Sequence, residues 1–365
     1  MNNTFGKNVT VTLFGESHGK AIGAVLDGIA PGIPVDETDI AHALSLRRGE
    51  AALSTPRREA DAFELVSGVY CGKTTGTPLT VLIRNADTRS GDYDKTARLF
   101  RPGHADLTAM YKYHGFADPH GGGHFSGRIT AALVAVGAIA QAALKAREIF
   151  VFTHLSRCAG ISDRAFHDLP ADRALCACPF PVLDETAANA MREEILRAAA
   201  DGDSVGGVLQ TAVTGLPAGV GEPWFDSVES VLAHALFAVP AVKGVSFGDG
   251  FGLCDLRGSQ ANDPLREEKG KIVTATNRNG GINGGITNGM PVLFNCAVKP
   301  TPSIAKKQET VNGDTLENAE IKIRGRHDPC IAPRAAAVVN AVTALVLCDL
   351  LTGRFGTDWL ANRPD

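Results

Sequence analysis

Two stretches of small apolar residues constrain this chain more than any other feature: "ITAALVAVGAIAQAALKA" at 129–146 and "PRAAAVVNAVTALVLCDLL" at 333–351. Each imitates a membrane span by length and hydropathy. The first is dominated by alanine, carries Gln141 and barely reaches the length needed, and the second reads the same way. Both are expected as buried helices of a soluble protein. Each follows a loop rich in histidine and arginine. In addition, "LFGESHG" at 13–19 has a faint echo in "SFGDGFG" at 246–252. A single domain over residues 1–365, built of two related halves, is the expectation.

The intervening chain supplies strands and further helices. "NVTVTLF" (8–14) alternates as a strand does, and "PVDETDIAHALSLRRG" (34–49) reads as a helix with acids at its start and arginines at its end. "TPLTVLIRNADT" (77–88), "GGVLQTAVTGLP" (206–217) and "MPVLFNCAVKP" (290–300) read as strands. An amphipathic helix is predicted at 186–200, and a helix entering a strand at 227–252. Residues 89–127 are polar, glycine-rich and histidine-rich with little periodicity, which predicts a functional loop. The fold class is therefore α/β or α+β.

Composition limits the function classes. Apolar residues make up 44% and charged residues 21%, as in a soluble globular protein, and the net charge of −4 argues against a nucleic-acid binder. An anion site must then come from a local arginine cluster. Arg47, Arg48, Arg57 and Arg58 form one, with Lys73, Arg84, Arg101 and Arg128 nearby in sequence. The eight cysteines form no CxxC pair and nothing at the N-terminus reads as a signal peptide. Free thiols and a cytoplasmic location are expected. Cys176 and Cys178 are weak candidates for metal.

Six motifs carry groups suited to chemistry. "LFGESHG" delivers Glu16, Ser17 and His18 between glycines at the end of a strand. "RPGHAD" sets His104 after a Pro-Gly turn with Asp106 as its orienting acceptor. "HGGGHFSGR" (120–128) stacks three glycines ahead of a helix, a natural anion cradle, and "NGGINGG" (279–285) is a second such surface. "KPTPS" (299–303) offers a cation and two hydroxyls, and "GRHDPC" (325–330) gathers Arg326, His327 and Asp328. No P-loop and no GxGxxG is present, and the histidines lack HExxH spacing, so no metal site is expected. The residues alone indicate an enzyme that moves protons on a small, multiply anionic molecule. A metal-dependent hydrolase of a phosphorylated acid is the rival.

Taken in order, "FGESHG", "RPGHAD", "GGGHFSGR", "PAVKG" with "GDGF", "GSQ" with "NGGINGG", "KPTPS" and "GRHDPC" resemble the chorismate synthase family from about Gly6 to Leu351. The resemblance implies a non-Rossmann sandwich of two pseudo-symmetric halves, assembled as a homotetramer. It implies a lyase that converts 5-enolpyruvylshikimate 3-phosphate into chorismate by anti-1,4 elimination of phosphate, with reduced FMN as cofactor. This is the last step of the shikimate pathway to aromatic amino acids. It makes His18, His104, Asp328 and Ser17 the catalytic groups and Arg47, Arg48, Arg128 and Arg334 the substrate contacts. Flavin contacts fall to His124, Phe125, Ser126, Pro240, Ala241, Gly284, Lys299, Pro300, Thr301, Pro302, Ser303 and Arg326.

Family members differ in whether they reduce their own FMN with NADPH. With no long insertion here, a separate flavin reductase is the expected partner. A non-catalytic flavin-binding paralogue is the remaining alternative, although all four catalytic groups are present. Three departures from the family pattern stand out. His124 and Phe125 replace an arginine and a serine of the commoner GGGRSSAR turn, Ala52 replaces a second basic residue, and Pro240 stands for asparagine.

Overall fold

The computed structural model describes residues 3–50, 53, 61–85, 99–118, 120–323 and 327–361. Arg57, Arg58, Ala52 and Arg326 therefore lie outside the described residues. The architecture is a layered α+β sandwich of two five-stranded sheets with long helices between them. The first sheet comprises β1 (Thr4–Phe5), β2 (Thr10–Gly15), β3 (Ala21–Asp27), β4 (Phe63–Ser67) and β5 (Leu79–Arg84), in the order β1-β2-β3-β5-β4. The second comprises β6 (Phe150–Cys158), β7 (Ile161–Ser162), β8 (Gly207–Thr214), β9 (Val242–Phe247) and β10 (Val292–Val298), in the order β9-β10-β8-β6-β7. Neighbours in both sheets are antiparallel. In β10, Val292, Phe294, Cys296 and Val298 are buried, the period of two that the pleat imposes.

Between the sheets lie α1 (Glu37–Arg48), α3 (Thr130–Lys145) and α6 (Ala332–Phe355). The two small-residue stretches are thus helices, 83% and 89% buried over their most apolar windows. Their composition has a steric reason. A Cβ added at Gly137 of α3 would lie 2.3 Å from the Ala341 Cβ of α6, so the two backbones approach as closely as small residues allow. Asp349, buried in α6, accepts the backbone N–H groups of Lys7, Asn8 and Val9 at 3.1, 2.6 and 3.0 Å, tying the first sheet to the second half's helix. One apolar core runs through both halves, from Val9 to Leu360.

α1 follows its sequence signals. Asp36 caps it by accepting from Thr38 N–H, Glu37 and Asp39 occupy the first turn, and Arg47 and Arg48 end it before Gly49. Two more predicted helices form, α4 (Glu185–Ala200) and α5 (Val228–Phe237). The predicted loop at 89–127 needs correction, because α2 (Asp106–Tyr113) lies inside it. Its eight residues are too few to show a helical period. The helix starts because Asp106 turns back to accept the Arg101 backbone N–H at 2.9 Å. Finally, "LFG" and "SFG" both close a strand on a glycine of positive φ, +97° at Gly15 and +56° at Gly248.

Candidate active site

β2 ends at Gly15, and the turn after it carries Ser17 and His18. Ser17 is fully buried. Its backbone N–H donates to the Gly123 carbonyl at 3.1 Å, and its hydroxyl donates to the His120 carbonyl at 3.4 Å. Because that hydrogen is directed at a carbonyl, Ser17 Oγ accepts from His18 Nδ1–H at 3.0 Å. This bond fixes the His18 tautomer with a hydrogen on Nδ1. Asn85 holds the turn from the other side, donating to the carbonyls of Glu16 and Gly19 at 2.9 and 2.8 Å.

His104 is built differently. Its Nδ1–H donates to Asp106 Oδ1 at 2.8 Å, and Asp106 is gripped by Arg101 through Nε at 2.8 Å and Nη2 at 2.6 Å. Burial pushes the Asp106 carboxyl up, but the hydrogen bonds from Arg101 and His104 outweigh it and hold it well below the usual carboxylate range. An ionised Asp106 fixes the ring's tautomer with a hydrogen on Nδ1.

The two imidazoles share one glycine turn. Gly121 at φ +62° and Gly122 at φ +97° are neighbours, and each backs a different ring. A Cβ on Gly121 would fall 2.0 Å from His18 Cε1, and one on Gly122 would fall 3.2 Å from His104 Cε1. Only glycine permits this approach and this backbone conformation together.

Beside the histidines stands the cation cluster. Arg47 Nε donates to Thr130 Oγ1 and Nη2 to the Gly127 carbonyl, both at 2.8 Å. Asp61 pairs with Arg47 at 3.5 Å and with Arg128, while Asp328 pairs with Arg334. Arg334 Nε also donates to the Arg47 carbonyl at 3.0 Å. Burial, with Arg334 adding repulsion and Asp61 opposing it, pushes the Arg47 guanidinium down to about 9. Three clustered guanidiniums against two carboxylates leave an excess of positive charge at a largely buried place, which favours an anion. Arg48, next along the helix, is exposed.

The remaining motifs converge on the same side, with one exception. Lys299 Nζ donates to the Gly103 carbonyl of the "RPGHAD" turn, and its backbone N–H donates to the Ala241 carbonyl at 2.9 Å, beside Pro240. Ser204 Oγ donates to the Thr301 carbonyl at 2.7 Å, and Ser303 is buried. His327 joins its neighbour Asp328 to the His104 turn. Burial, then Arg101, push its imidazole below its ordinary value, with Asp328 opposing. Ser126 caps the helical turn ahead of α3 by accepting Arg128 N–H, and Phe125 lies edge-on to Tyr113 at 6.0 Å.

Gly284 is the exception. Gly280 and Gly248 bond to Leu293 at the start of β10, whereas Lys299 follows its end, about 20 Å away at ~3.4 Å per residue. Gly285 packs on Glu222 and Ser227 at that far end. Within one chain Gly284 does not join the other proposed flavin contacts.

A family model described as chorismate synthase matches residues 9–352. The chain belongs to the chorismate synthase family. A chorismate synthase of Thermococcus kodakarensis is 44% identical over 349 residues, covering 96% of this chain and 97% of the relative. One from Dehalococcoides mccartyi is 45% identical over 351 residues, covering 96% of each. A solved structure titled "Crystal Structure of Chorismate Synthase" superposes with a TM-score of 0.74 at 28% identity, covering 97% of this chain and 94% of that one. The sandwich is therefore the family fold.

Sequence reading missed three residues that organise the site: Asn85, Asp61 and Thr130. Asn85 lay in a strand-to-loop segment with no motif around it, and only the fold brings it against the Ser17–His18 turn. By contrast, the fully buried His154 is structural. Its Nδ1 bonds Asp163 at 2.8 Å and its Nε2 faces Gln210 Oε1 at 3.1 Å, on the second sheet away from the cluster. Among the described residues no three His, Cys, Asp or Glu side chains converge as a metal site. Burial pushes the Cys176 thiol up to about 12, which disfavours a metal-binding thiolate.

Proposed function

We propose that this chain converts 5-enolpyruvylshikimate 3-phosphate into chorismate and phosphate, using reduced FMN. The observation that carries the reading is the shared glycine turn, which backs His18 and His104 with consecutive residues beside an arginine cluster. A substrate with two carboxylates and a phosphate matches three arginines, Arg47, Arg128 and Arg334, with Arg48 at the rim. The residues around Lys299 fit a flavin. Thr301 Oγ1 is buried without a hydrogen-bond partner and so has a bond to give. Ala241, at φ +72°, keeps its backbone beside Lys299. Lys299 to Ser303, Pro240–Ala241, Phe125 and Ser126 would hold the cofactor, with Arg326 contributing from outside the described residues.

Reduced flavin held by these residues would supply transient electron density to the elimination with no net redox. His18 gives its Nε2 proton to the departing phosphate oxygen, and Ser17 keeps its ring oriented. His104, held by the ionised Asp106, maintains the protonation state on the cofactor side. Asp328 would be the base that takes a proton from the cofactor side, relayed through Ser17. Arg334 pairs with Asp328 and orients its carboxyl.

Cytoplasmic location, a separate flavin reductase and a homotetramer complete the reading. Gly284 fits the last, because its neighbour Gly285 packs on Glu222 and Ser227, which flank Trp224 and Phe225, 84% and 91% exposed. Its flavin contact would then be made across a subunit boundary. The test is an anaerobic assay of product formation with chemically reduced FMN for wild type and His18→Ala. Product from wild type and a loss of at least about 10²-fold in the variant are expected. No product from wild type that binds flavin would overturn the reading in favour of a non-catalytic paralogue.

A further inference from the structure

The family resemblance sets His124 among the flavin contacts, yet its ring is engaged elsewhere. Nδ1 lies 2.8 Å from the Gly15 carbonyl, which can only accept, so Nδ1–H is the donor. Gly15 is the last residue of β2, at φ +97°, and the chain reaches Ser17 and His18 two and three residues later. The 120–124 turn meets the 15–18 turn at two other hydrogen bonds, Ser17 N–H to the Gly123 carbonyl at 3.1 Å and Ser17 Oγ to the His120 carbonyl at 3.4 Å. Both use main-chain carbonyls of the glycine turn, which a change at 124 leaves in place but no longer holds in register. The His124 bond is made by a side chain of that turn, so it is a place where sequence controls how the two turns meet.

We propose that His124 is a positioning residue for the catalytic turn: its Nδ1–H fixes the Gly15 carbonyl and thereby sets the reach of His18. The inference rests on the reading of His18 as the acid. It also gives the histidine a purpose in the one turn that departs from the commoner family pattern. The bond is local, so it acts on where the His18 ring sits rather than on how tightly cofactor or substrate is held. A shift of about 1 Å in a proton donor is enough to cost ~10²-fold in rate.

The test compares His124→Asn, whose Nδ2 occupies the place of Nδ1 and can still donate, with His124→Leu, which cannot. Each is assayed for kcat, KM, the Kd of FMN by fluorescence quenching, and amide hydrogen exchange at 15–19. Expected for His124→Leu is a kcat lowered by about 10–100-fold, with FMN Kd and substrate KM within about threefold and the Ser17 amide exchanging at least about tenfold faster. His124→Asn should stay within about threefold of wild type throughout. A Leu variant with normal kcat at saturating FMN but weakened FMN binding would overturn the proposal in favour of a flavin contact. Wild-type exchange at Ser17 in the Leu variant would overturn it outright. Should wild type form no product, the proposed reaction fails, and the exchange measurement still decides the fate of His124.

Discussion

Asn85 Oδ1 accepts from Arg128 Nε at 3.1 Å, while its Nδ2 donates to the Glu16 and Gly19 carbonyls. One amide therefore joins the Ser17–His18 turn to Arg128 of the cation cluster. Replacing Asn85 with alanine removes all three bonds and strands two carbonyls. The expected result is a kcat lowered by about 10–100-fold and a stability loss of about 1–3 kcal/mol. Asn85→Asp keeps the acceptor for Arg128 but repels the two carbonyls, so it should fall between wild type and alanine in melting temperature. Kinetics and thermal melts on both variants check this, and unchanged kinetics in the alanine variant would sever the link.

Gly121→Ala is a sharper probe of the shared turn. Alanine at φ +62° costs roughly 1–2 kcal/mol, and its methyl would meet the His18 ring at 2.0 Å. The ring must move, so activity should fall by more than about 10²-fold while the chain still folds. Gly122→Ala meets His104 at 3.2 Å, a contact the ring can relax, and should lose less stability from the steric clash. A pair of variants with equal, small losses would mean that the turn does not support the two imidazoles.

Asp106 links geometry to pH. Its folded-state carboxyl lies below its ordinary value because Arg101 and His104 donate to it despite burial. Stability from this group is therefore fully present above the unfolded value near 3.9, and it drains away as pH falls through the lower folded value. Wild type should exceed Asp106→Asn by about 1.5–3 kcal/mol at neutral pH, and the two should converge in strong acid. Urea melts across pH 2–7 read the difference. A constant gap down to pH 2 would contradict the ionised Arg101–Asp106–His104 arrangement. The same variant should lower kcat, since asparagine can present its amide to His104 and favour the wrong tautomer.

Much of this was legible in the sequence because local rules carry it. The caps and charges of α1, the alternation in β10 and the small residues of α3 and α6 each respond to forces acting within a few residues. The histidine and arginine motifs were visible too, since unusual residue clusters between glycines have few structural uses. What could not be read is where the fold overrides chain order. Asp106 starts a helix through a bond to Arg101 that no hydrophobic period betrays. Asn85 gains its role only when β5 lies beside β3, and Gly284 is adjacent to the other flavin candidates in motif order but lies at the opposite end of β10.

Arg47 yields the last prediction. Burial and the nearby Arg334 bring its guanidinium down from its ordinary value to about 9. The folded state then holds fewer protons than the unfolded one between about 9 and that ordinary value, so the cost of burying this charge is full below 9 and eases as pH rises. A bound anion reverses that shift by favouring the charged form. Thermal stabilisation by 5-enolpyruvylshikimate 3-phosphate should therefore be large and flat from pH 7 to 8.5 and shrink as pH passes 9. In Arg47→Gln it should be smaller by about tenfold or more in apparent affinity and lose this alkaline inflection, since the charged hydrogen bond is worth about 1.5–3 kcal/mol. Ligand-dependent melting at pH 7, 8, 9 and 10 makes the comparison. An inflection that persists in Arg47→Gln would assign it to another group and remove Arg47 from the anion site.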